Sequence, residues 1–508
     1  MSIIQQFYKH VLQTPDKAAV IFDGDVFTYQ ELANQISSLS KGLLDAGIQK
    51  GDHVAVLLPN GVEFIVLMMT AANIGLVLVP NNMTIGEQVL SRSIYSADVK
   101  HAFVWHASVP DLKTTFDAIL DDDAVFVSVG GESHGAISYE ALLETPPYSL
   151  NIINTDDFLE YPYILTMTSG STGEPKPIVL SQKTKVLRAK AAIELYRVNH
   201  EDITLIATPM YHSLAERLVI IPLITGGTCV VLGSYTAKKW LQAVIKHKVT
   251  FAIPVSSQLK QILIELNENP CSFDSLRCLV SSSERLPDSV REEMKMLIQC
   301  EFHECYGASE VAIVTNLDHQ KNANGSVGLA IPNVEIKILD DNREPVGINQ
   351  PGEIACKTPM LFSGYYKQPE ATVASMWEDY FCTGDIGRLD KDGYLYFLGR
   401  KKDIIITGGI NIYPKDIEDV LNSHESVVES AVIPLPDDSL GEKLTAVIVP
   451  DKNTSFSTRT LQRLCAKFLA DYQQPRSYLL VEEMPKNPMG KIMKQKLIQQ
   501  LSANSVHT

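Results

Sequence analysis

The residues best suited to chemistry lie in one short stretch, Thr166–Lys176, with the sequence TMTSGSTGEPK. From Thr168 to Lys176 it contains four hydroxyl side chains, two glycines and one lysine. Glycines allow a tight turn that presents backbone N–H groups, hydroxyls add further donors, and the lysine adds positive charge. Such a loop can hold the oxygens of a polyphosphate. On composition alone, a solvated Ser/Gly turn is the alternative.

The spacing argues against the Walker phosphate loop, which needs a glycine, four residues and then Gly-Lys-Ser/Thr. Here Glu174 and Pro175 separate Gly173 from Lys176, and Pro177 follows the lysine. We therefore expect phosphate binding, but not by a P-loop nucleotidase.

The elements that must position this loop alternate between helix and strand. FTYQELANQISSLSKGLLDAGI has the apolar spacing of a helix, and the next segment, GDHVAVLLP, is typical of a short buried strand. FAIPV, CLVSSS and CEFHECYG predict further strands, separated by helical stretches such as LPDSVREEMKMLIQ. The pair of cysteines around a histidine in CEFHEC could bind zinc, but no second pair completes four ligands, so a strand is preferred. The alternation predicts α/β layers with largely parallel sheets.

The pattern of predicted helices and strands changes twice towards the end of the chain. After about residue 325, GEIACKT and GYLYFLGR indicate antiparallel strands joined by turns. Beyond GRKKD at 399–403, the segments KDIEDVLNSHESV, VESAVIPLP and KLTAVIVP predict a compact α+β unit. We therefore expect a large domain at 1–400 and a small one at 401–508.

Composition limits the partners of the chain. Its 508 residues carry 44 Lys and Arg against 60 Asp and Glu, for a net charge of −16, which argues against nucleic acid and anionic membranes. The most apolar run, Ile65–Val79, is shorter than the ~20 residues that span a bilayer, so it predicts a buried helix followed by a buried strand. No signal peptide and no disulfide framework are evident, so we expect a cytoplasmic protein.

Several segments together carry a resemblance to a known family. TSGSTGEPK resembles the phosphate loop of the adenylate-forming superfamily, which comprises acyl- and aryl-CoA synthetases, peptide-synthetase adenylation domains and luciferases. In family order follow PMYHSLA, YGASE, PGEIACKTP, GYYKQPEAT, FCTGDIGRLDKDGYLYFLGRKKDIIITGGINIYPKDIE and NPMGKIMK. On these motifs the chain is identified as a member, most like the acyl-CoA synthetases. The resemblance implies a large domain of layered αβ subdomains plus a β-barrel-like subdomain, and a small, mobile α+β C-terminal domain.

The resemblance also implies an ATP site with Mg²⁺. Tyr306 would stack on adenine, Asp385 would accept hydrogen bonds from the ribose, Arg400 would bind nearby, and Glu310 with Thr168 would bind the metal. The other implied nucleotide contacts are Ser169, Gly170, Ser171, Thr172, Gly173 and Lys176 in the loop, with Ser283, Glu284, Gly307 and Ser309.

Three residues are implied to act in catalysis: Lys491, His212 and Arg400. A cation at Lys491 would stabilise the charge that develops when a carboxylate attacks the α-phosphate, and His212 would gate the path of the thiol. Rotation about a hinge at Lys402 would then replace the Lys491 face by the face around Gly408 and Gly409, which would meet coenzyme A.

The identity of the acid is approached through departures from the family pattern. In the segment that begins Met210-Tyr211-His212-Ser213, no acidic residue occurs before Glu216 that could pair with an amino group. This favours a simple carboxylic acid over an amino acid. Ser282 and Ser283 replace glycines common in acyl-CoA synthetases, so we expect a narrower or more polar pocket and a short, branched, aromatic or polar acid. Pro177 and Gln182 also depart from the pattern, but neither has an implied catalytic role.

Coenzyme A is the expected acceptor, and a free-standing carrier protein is the alternative. A luciferase-like oxygenase and a non-catalytic nucleotide-binding protein are the alternatives from other functional classes. A monomer and a homodimer both fit the sequence.

Overall fold

The structure is a computed structural model that describes residues 1–121, 123–147, 158–169, 175–321, 325–407, 410–437, 441–452, 454–487 and 490–504. Its helices within these residues are α1 (Ile3–Gln13), α2 (Tyr29–Asp45), α3 (Val62–Ile74), α4 (Glu87–Ser96), α5 (Val109–Asp117), α6 (Tyr139–Leu143), α7 (Gln182–Tyr196), α8 (Ser213–Thr225), α9 (Ala237–His247), α10 (Ser256–Glu268), α11 (Asp288–Leu297), α12 (Pro369–Ala374), α13 (Pro414–Asn422), α14 (Thr458–Phe468) and α15 (Lys494–Asn504).

The strands of the first 320 residues form two large sheets. They are β1 (Ala18–Phe22), β2 (Asp25–Thr28), β3 (His53–Leu57), β4 (Val77–Pro80), β5 (His101–Trp105), β6 (Phe126–Val129), β7 (Ile137–Ser138), β8 (Pro162–Ser169), β9 (Pro175–Ser181), β10 (Ile203–Ile206), β11 (Thr228–Val231), β12 (Phe251–Ala252), β13 (Cys278–Ser281), β14 (Glu301–Ala308) and β15 (Ala312–Asp318).

The remaining strands form the smaller sheets, apart from β16, which joins the first large sheet. They are β16 (Leu329–Ala330), β17 (Glu335–Leu339), β18 (Gly352–Lys357), β19 (Met376–Trp377), β20 (Tyr380–Leu389), β21 (Leu395–Arg400), β22 (Ile405–Thr407), β23 (Ile410–Ile412), β24 (Val427–Asp437), β25 (Gly441–Pro450) and β26 (Ser477–Leu480).

Both large sheets are parallel at their centres. One has the order β16-β15-β14-β13-β12-β10-β11-β1-β2, with antiparallel pairs only at its two ends. The other has the order β7-β6-β5-β3-β4-β8-β9, and only β8 and β9 are antiparallel. The predicted α/β class with largely parallel sheets is therefore confirmed.

A shared apolar core joins the two sheets through helices between them. It contains Val56 of β3 and Ile206 of β10, together with residues of α1, α2, α3, α7 and α8. The predicted buried helix and strand in the most apolar run are α3 and β4, and every residue of α3 except Glu63 is buried. A helix that is apolar on all sides fits this position between two sheets. Among the described residues, no helix is both long and apolar enough to cross a bilayer.

The two later units have their own cores. Strands β17 to β21 form a five-stranded antiparallel sheet, as the turn-rich segments after residue 325 predict. After a 3₁₀ turn at Lys401–Asp403, the α+β unit packs α13 and α14 against the β24-β25-β26 sheet, around Ile417, Val432 and Leu461.

Candidate active site

The hairpin of β8 and β9 carries the predicted phosphate loop. Thr168 and Lys176 are opposite each other in its register, so the strands bring the two ends of the loop together. Gly170, Ser171, Thr172 and Gly173 lie outside the described residues, and only the backbone of Thr168 and Ser169 is described. The Nζ atom of Lys176 lies 5.4 Å from the centroid of the Tyr365 ring.

Tyr365 links the phosphate hairpin to the predicted metal ligand. Its hydroxyl donates to Oε1 of Glu310 over 3.1 Å, while its ring faces Lys176. Lys176 and Glu310 are 134 positions apart in the sequence, yet they meet around one tyrosine. Tyr365 lies within GYYKQPEAT, one of the segments that carry the resemblance, but no role was implied for it.

Glu310 and Ser309 are held through their backbone. Arg188 of α7, which is 2% exposed, donates from Nη1 to the Ser309 carbonyl over 2.8 Å and from Nη2 to the Glu310 carbonyl over 2.8 Å. Its Nε donates to the Met360 carbonyl over 3.0 Å. A planar guanidinium with fixed donors suits such a clamp. Arg188 was also missed by the sequence, because carbonyl acceptors leave no residue signature.

Gly307 is required by the tight turn between β14 and β15. A Cβ atom at this position would lie 1.7 Å from the carbonyl oxygen of Ala312, which no side chain could tolerate. The close approach lets β14 continue through Tyr306 to the turn that carries Ser309 and Glu310. Gly307 is thus needed for the geometry of the hairpin.

Tyr306, Asp385 and Arg400 form one connected group. The Tyr306 hydroxyl donates to Oδ2 of Asp385 over 2.7 Å, and the Nε atom of Arg400 lies 2.9 Å from Oδ1 of Asp385. Asp385 and Arg400 are paired in the register of β20 and β21, which fixes their spacing. Burial raises the pKa of Asp385, while Arg400 and the Tyr306 hydroxyl oppose that shift.

The segment after β13 carries a strained backbone. Ser283 has φ of 75°, in the left-handed region that favours glycine. A serine side chain therefore occupies a backbone geometry that glycine adopts more readily. The Oγ atoms of Ser281 and Ser282 are buried, and neither has a hydrogen-bond partner among the described residues. Buried hydroxyls without protein partners cost free energy.

His212 stands at the start of α8, where it precedes the first helical residue. Burial lowers its pKa to about 4, so the imidazole is neutral near pH 7, and its buried Nε2 has no partner within the described part of the chain. Asn60 holds the segment before it, because its Oδ1 accepts from the Met210 N–H over 2.7 Å and its Nδ2 donates to the Thr208 carbonyl over 3.0 Å. Asn60 had no signal in the sequence.

Lys491 reaches this site from the C-terminal unit. It follows a turn in which the Gly490 N–H donates to the Asn487 carbonyl over 2.8 Å, and Gly490 has φ of 82°. Lys491 is exposed as a whole residue, but the groups of the cleft partly desolvate its ammonium. Together with the nearby Arg400 this lowers its pKa, while Glu284 and Asp385 oppose the shift.

Further contacts hold the two units in this arrangement. Nη1 of Arg285 lies 2.6 Å from Oδ2 of Asp419 on α13, an ion pair that no sequence pattern marks. Burial raises the pKa of Glu284, which is next to Arg285. Lys491 is the charge that opposes this shift most strongly. Three predicted site residues from distant segments, Glu284, Asp385 and Lys491, therefore meet at one cleft.

Other predicted residues lie apart from this cleft or outside the described structure. Lys402 is exposed in the 3₁₀ turn between the units, and Gly408 and Gly409 fall outside the described residues. Gln182 is 1% exposed and donates to the Ala72 carbonyl over 2.9 Å, which ties α7 to α3. The carbonyl of Pro177 accepts from the Tyr366 N–H over 2.9 Å.

Comparisons with known proteins agree with this arrangement. Residues 7–366 match the model of the AMP-binding enzyme family, and residues 416–491 match that of the AMP-binding enzyme C-terminal domain. The chain is 28% identical to indoleacetate–CoA ligase of Aromatoleum aromaticum over 97% of each chain. It is 30% identical to 2-succinylbenzoate–CoA ligase of Listeria monocytogenes over 96% of this chain and 97% of that one.

A solved structure extends the likeness to the fold. ATP-bound MatB from Rhodopseudomonas palustris superimposes with a TM-score of 0.89 and 27% identity, covering 98% of this chain and 99% of that one. The chain therefore belongs to the AMP-binding enzyme family of the adenylate-forming superfamily, and it is an AMP-forming acid–thiol ligase.

Proposed function

We propose that the chain joins a carboxylic acid to coenzyme A in two half-reactions. A carboxylate oxygen attacks the α-phosphorus of ATP, the bond to the β-phosphate oxygen breaks, and pyrophosphate leaves. The thiol of coenzyme A then attacks the acyl carbon, loses its proton, and releases AMP. The observation that carries the proposal is the meeting of Asp385, Arg400 and Lys491 at one cleft.

Each residue has a role that its surroundings support. The Asp385 carboxylate would accept hydrogen bonds from the ribose, Arg400 would stay beside it, and the Tyr306 ring would contact adenine. The Lys491 ammonium would lie against the reacting phosphate, where a fixed cation stabilises developing negative charge. His212 would border the acid. It would do so as the neutral imidazole, because its pKa is about 4.

Glu310 fits the role of a magnesium ligand. Within the described residues its carboxylate accepts one hydrogen bond, from Tyr365, and forms no ion pair, so its charge is available for a hard cation. The backbone clamp from Arg188 holds the residue in place. Bound Mg²⁺ would supply charge neutralisation to the phosphates of ATP.

We propose that 1–400 and 401–508 act as two domains that change their relative orientation about Lys402. The Lys402→Pro substitution should hold the present arrangement, because proline fixes φ near the value of a 3₁₀ turn. Adenylation should then persist while thioester formation falls. Equal loss of both half-reactions in separate assays would contradict the hinge.

The acid is proposed to be short, branched, aromatic or polar. The buried hydroxyl of Ser282 supports this, because an alkyl chain beside it would leave it without a partner. The names of relatives include indoleacetate, ferulate and 2-succinylbenzoate, besides long-chain fatty acids. Pyrophosphate release with ATP, Mg²⁺ and a panel of acids, with and without coenzyme A, tests the assignment. A clear preference for palmitate would refute it.

A carrier-protein thiol is the second candidate acceptor. Thioester formation with coenzyme A and with a carrier protein, compared in the same assay, separates the two.

All eight cysteines are free thiols, which supports a reducing compartment such as the cytosol.

Substitution of Lys491 tests the chemistry directly. Lys491→Ala should reduce acid-dependent ATP–pyrophosphate exchange by about 100-fold or more, in line with the loss of a fixed electrostatic contact, while nucleotide binding survives. Lys496→Ala, on an exposed site of the same segment, is the matched control and should keep full exchange. Unchanged exchange in Lys491→Ala would refute the assigned role.

A further inference from the structure

A cluster of metal-ligating side chains lies at the amino ends of β13 and β14. Cys278 and Glu301 are the first residues of these parallel strands and are paired in their register. His303, two residues after Glu301, lies on the same face of β14. One ligating atom from each of the three side chains lies within 4.8 Å of the other two. The fold thus brings a thiol, a carboxylate and an imidazole to one place.

The imidazole of His303 has one nitrogen that the protein does not use. His303 is 9% exposed, and its Nδ1 lies 3.2 Å from the amide nitrogen of Asn316. Its Nε2 is buried and has no hydrogen-bond partner among the described residues. This atom lies 3.8 Å from Oε2 of Glu301, which is beyond hydrogen-bond distance. A buried ring nitrogen without a partner costs free energy, and a ligand bound within the cluster would recover it.

Asn316 can hold the tautomer that a metal needs. A histidine that binds a metal through Nε2 carries its proton on Nδ1 and donates it to a neighbouring acceptor. The Asn316 side chain now accepts at Oδ1 from the Tyr196 hydroxyl over 3.2 Å. A half-turn of this amide presents Oδ1 to the proton on Nδ1 and donates from Nδ2 to the Tyr196 hydroxyl oxygen. The Tyr196 ring also packs against the imidazole, with 5.4 Å between ring centroids, and so restricts its orientation.

Glu301 and Cys278 supply the other two donors. Oε1 of Glu301 pairs with Arg197, which leaves Oε2 on the side of His303. Cys278 is fully buried, and burial raises the pKa of its thiol to about 12, so the thiol is neutral when no metal is bound. A coordinated metal displaces the thiol proton and takes the thiolate as its ligand.

We infer that Cys278, Glu301 and His303 bind a zinc ion, with water as the fourth ligand. Zinc takes sulfur, nitrogen and carboxylate oxygen ligands in proteins, whereas Mg²⁺ prefers oxygen alone. In a tetrahedral zinc site the ligand atoms lie roughly 3.3–3.6 Å apart, so the three side chains would have to close by no more than about 1.5 Å. Glu301 is partly exposed, which gives the ion and the water a path from solvent.

This site differs from the zinc pair that CEFHEC suggests by its spacing. Cys300 packs against the core formed by α9, α10 and α11, whereas Cys278 belongs to the core shared by the two large sheets. Neither Cys300 nor Cys305 belongs to the group of ligating atoms. Cys278 stands 25 positions before His303, and only the parallel pairing of β13 with β14 makes them neighbours.

Cobalt(II) is the probe, because it occupies tetrahedral zinc sites and absorbs by charge transfer from a thiolate. The full chain, stripped of metal with a chelator, is titrated in a Cys271→Ser background that removes the exposed thiol. One equivalent of Co²⁺ should produce the thiolate band, and one equivalent of Zn²⁺ should abolish it. Cys278→Ser should lose the band, and the controls Cys300→Ser and Cys305→Ser should keep it. A missing band, or one that survives in Cys278→Ser, would overturn the inference.

Two surface substitutions give a test that does not alter the core. Glu301→Gln and Arg197→Gln break the same ion pair, but only the first removes a proposed ligand. Glu301→Gln should weaken Co²⁺ binding by about 10-fold or more, whereas Arg197→Gln should keep or increase the affinity. Equal affinities in the two variants would contradict the site. Because Glu301 is partly exposed, this comparison decides the question even if Cys278→Ser does not fold.

The ion is expected to act on stability, because it would join two strands at their amino ends while Tyr306 lies towards the carboxyl end of β14. One equivalent of Zn²⁺ should raise the thermal midpoint of the unmodified protein, and the rise should shrink in Glu301→Gln but persist in Arg197→Gln. A midpoint that ignores Zn²⁺ would also overturn the inference. The inference does not depend on the proposed function, so a failure of every acid to support pyrophosphate release would leave these results unchanged.

Discussion

Two buried charged clusters beside α7 differ in how far the protein satisfies their polar groups. Near the C-terminal end of α7, Asp202 is 3% exposed and accepts four hydrogen bonds: from Arg277 Nε over 2.8 Å and Nη2 over 2.7 Å, from Thr250 Oγ1 over 2.6 Å, and from the Asn199 N–H over 2.8 Å. Arg217, which comes near Tyr196 at the same end of α7, has no hydrogen bond or ion pair among the residues that the structure describes.

The two charges lie before and after the same strand. Asp202 precedes β10, and Arg217 lies in α8, the helix that follows β10 in the chain. A satisfied cluster contributes to stability, whereas a cluster with open polar groups costs stability. Stability should therefore respond to substitution in opposite ways at the two places.

The largest effect is expected from Asp202→Ala. It leaves the Arg277 guanidinium without its carboxylate, so the free energy of unfolding should fall by about 3–5 kcal/mol, while the activity of the folded fraction is unchanged. Urea denaturation followed by fluorescence measures the loss. Asp45→Ala removes an exposed ion pair with Lys41 and should cost less than about 1 kcal/mol. Equal effects of the two substitutions would break the comparison.

The next effect has the opposite sign. Arg217→Met removes an unpaired buried charge and keeps an apolar stem, so the protein without substrate should gain about 1–3 kcal/mol in the free energy of unfolding. The same denaturation experiment, at the same pH and without any acid, measures it. A loss of stability would mean that Arg217 has a structural partner, and the contrast with Asp202 would disappear.

A third effect concerns the rate and appears only at alkaline pH. Lys491 acts as the ammonium ion, and the cleft lowers its pKa, so adenylation should be complete below that lowered pKa and decline as pH rises through it. The alkaline limb of acid-dependent ATP–pyrophosphate exchange should thus lie below the usual lysine value. Lys491→Arg should abolish this limb, whatever its absolute rate. A limb that persists in Lys491→Arg would assign it to another group.

The smallest effect is expected at the contact between the two units. Arg285 and Asp419 form a partly exposed pair 2.6 Å apart, so a double-mutant cycle with Arg285→Ala and Asp419→Ala should give a coupling of about 0.2–1 kcal/mol. The coupling is read from the ratio of adenylation to thioester formation, since the proposed rotation about Lys402 would break the pair. A zero coupling would show that other contacts hold this arrangement.

Much of the architecture could be predicted because local signals agree with the fold. The helix α2 begins at a capping box, in which Thr28 and Glu31 satisfy each other's backbone N–H groups, and its apolar spacing marks the buried face. The predicted strands are found at β3, β12, β13 and β14. Motif order was equally informative, because it selected Tyr306, Asp385 and Lys491, which the fold brings to one cleft.

The supports of the site escaped prediction for physical reasons. Arg188 and Asn60 act on backbone groups, and any residue type offers those groups, so no pattern marks them. Tyr365 acquires its role only when β9 and the turn at Glu310 are adjacent. The lack of a hydrogen-bond partner for Arg217 depends on which groups surround it in the folded chain, and the sequence does not show those groups.

Beside the cleft, the space at Gly490 is too small for even one side-chain carbon atom. A Cβ there would lie 2.5 Å from the hydroxyl oxygen of Ser257 on α10, and the backbone already has φ of 82°. A side chain at 490 would push the turn that carries Lys491 away from α10 unless Ser257 moved. The position of the Lys491 ammonium relative to Arg400, Glu284 and Asp385 would then change as well. One absent methyl group thus sets how closely the C-terminal unit approaches α10.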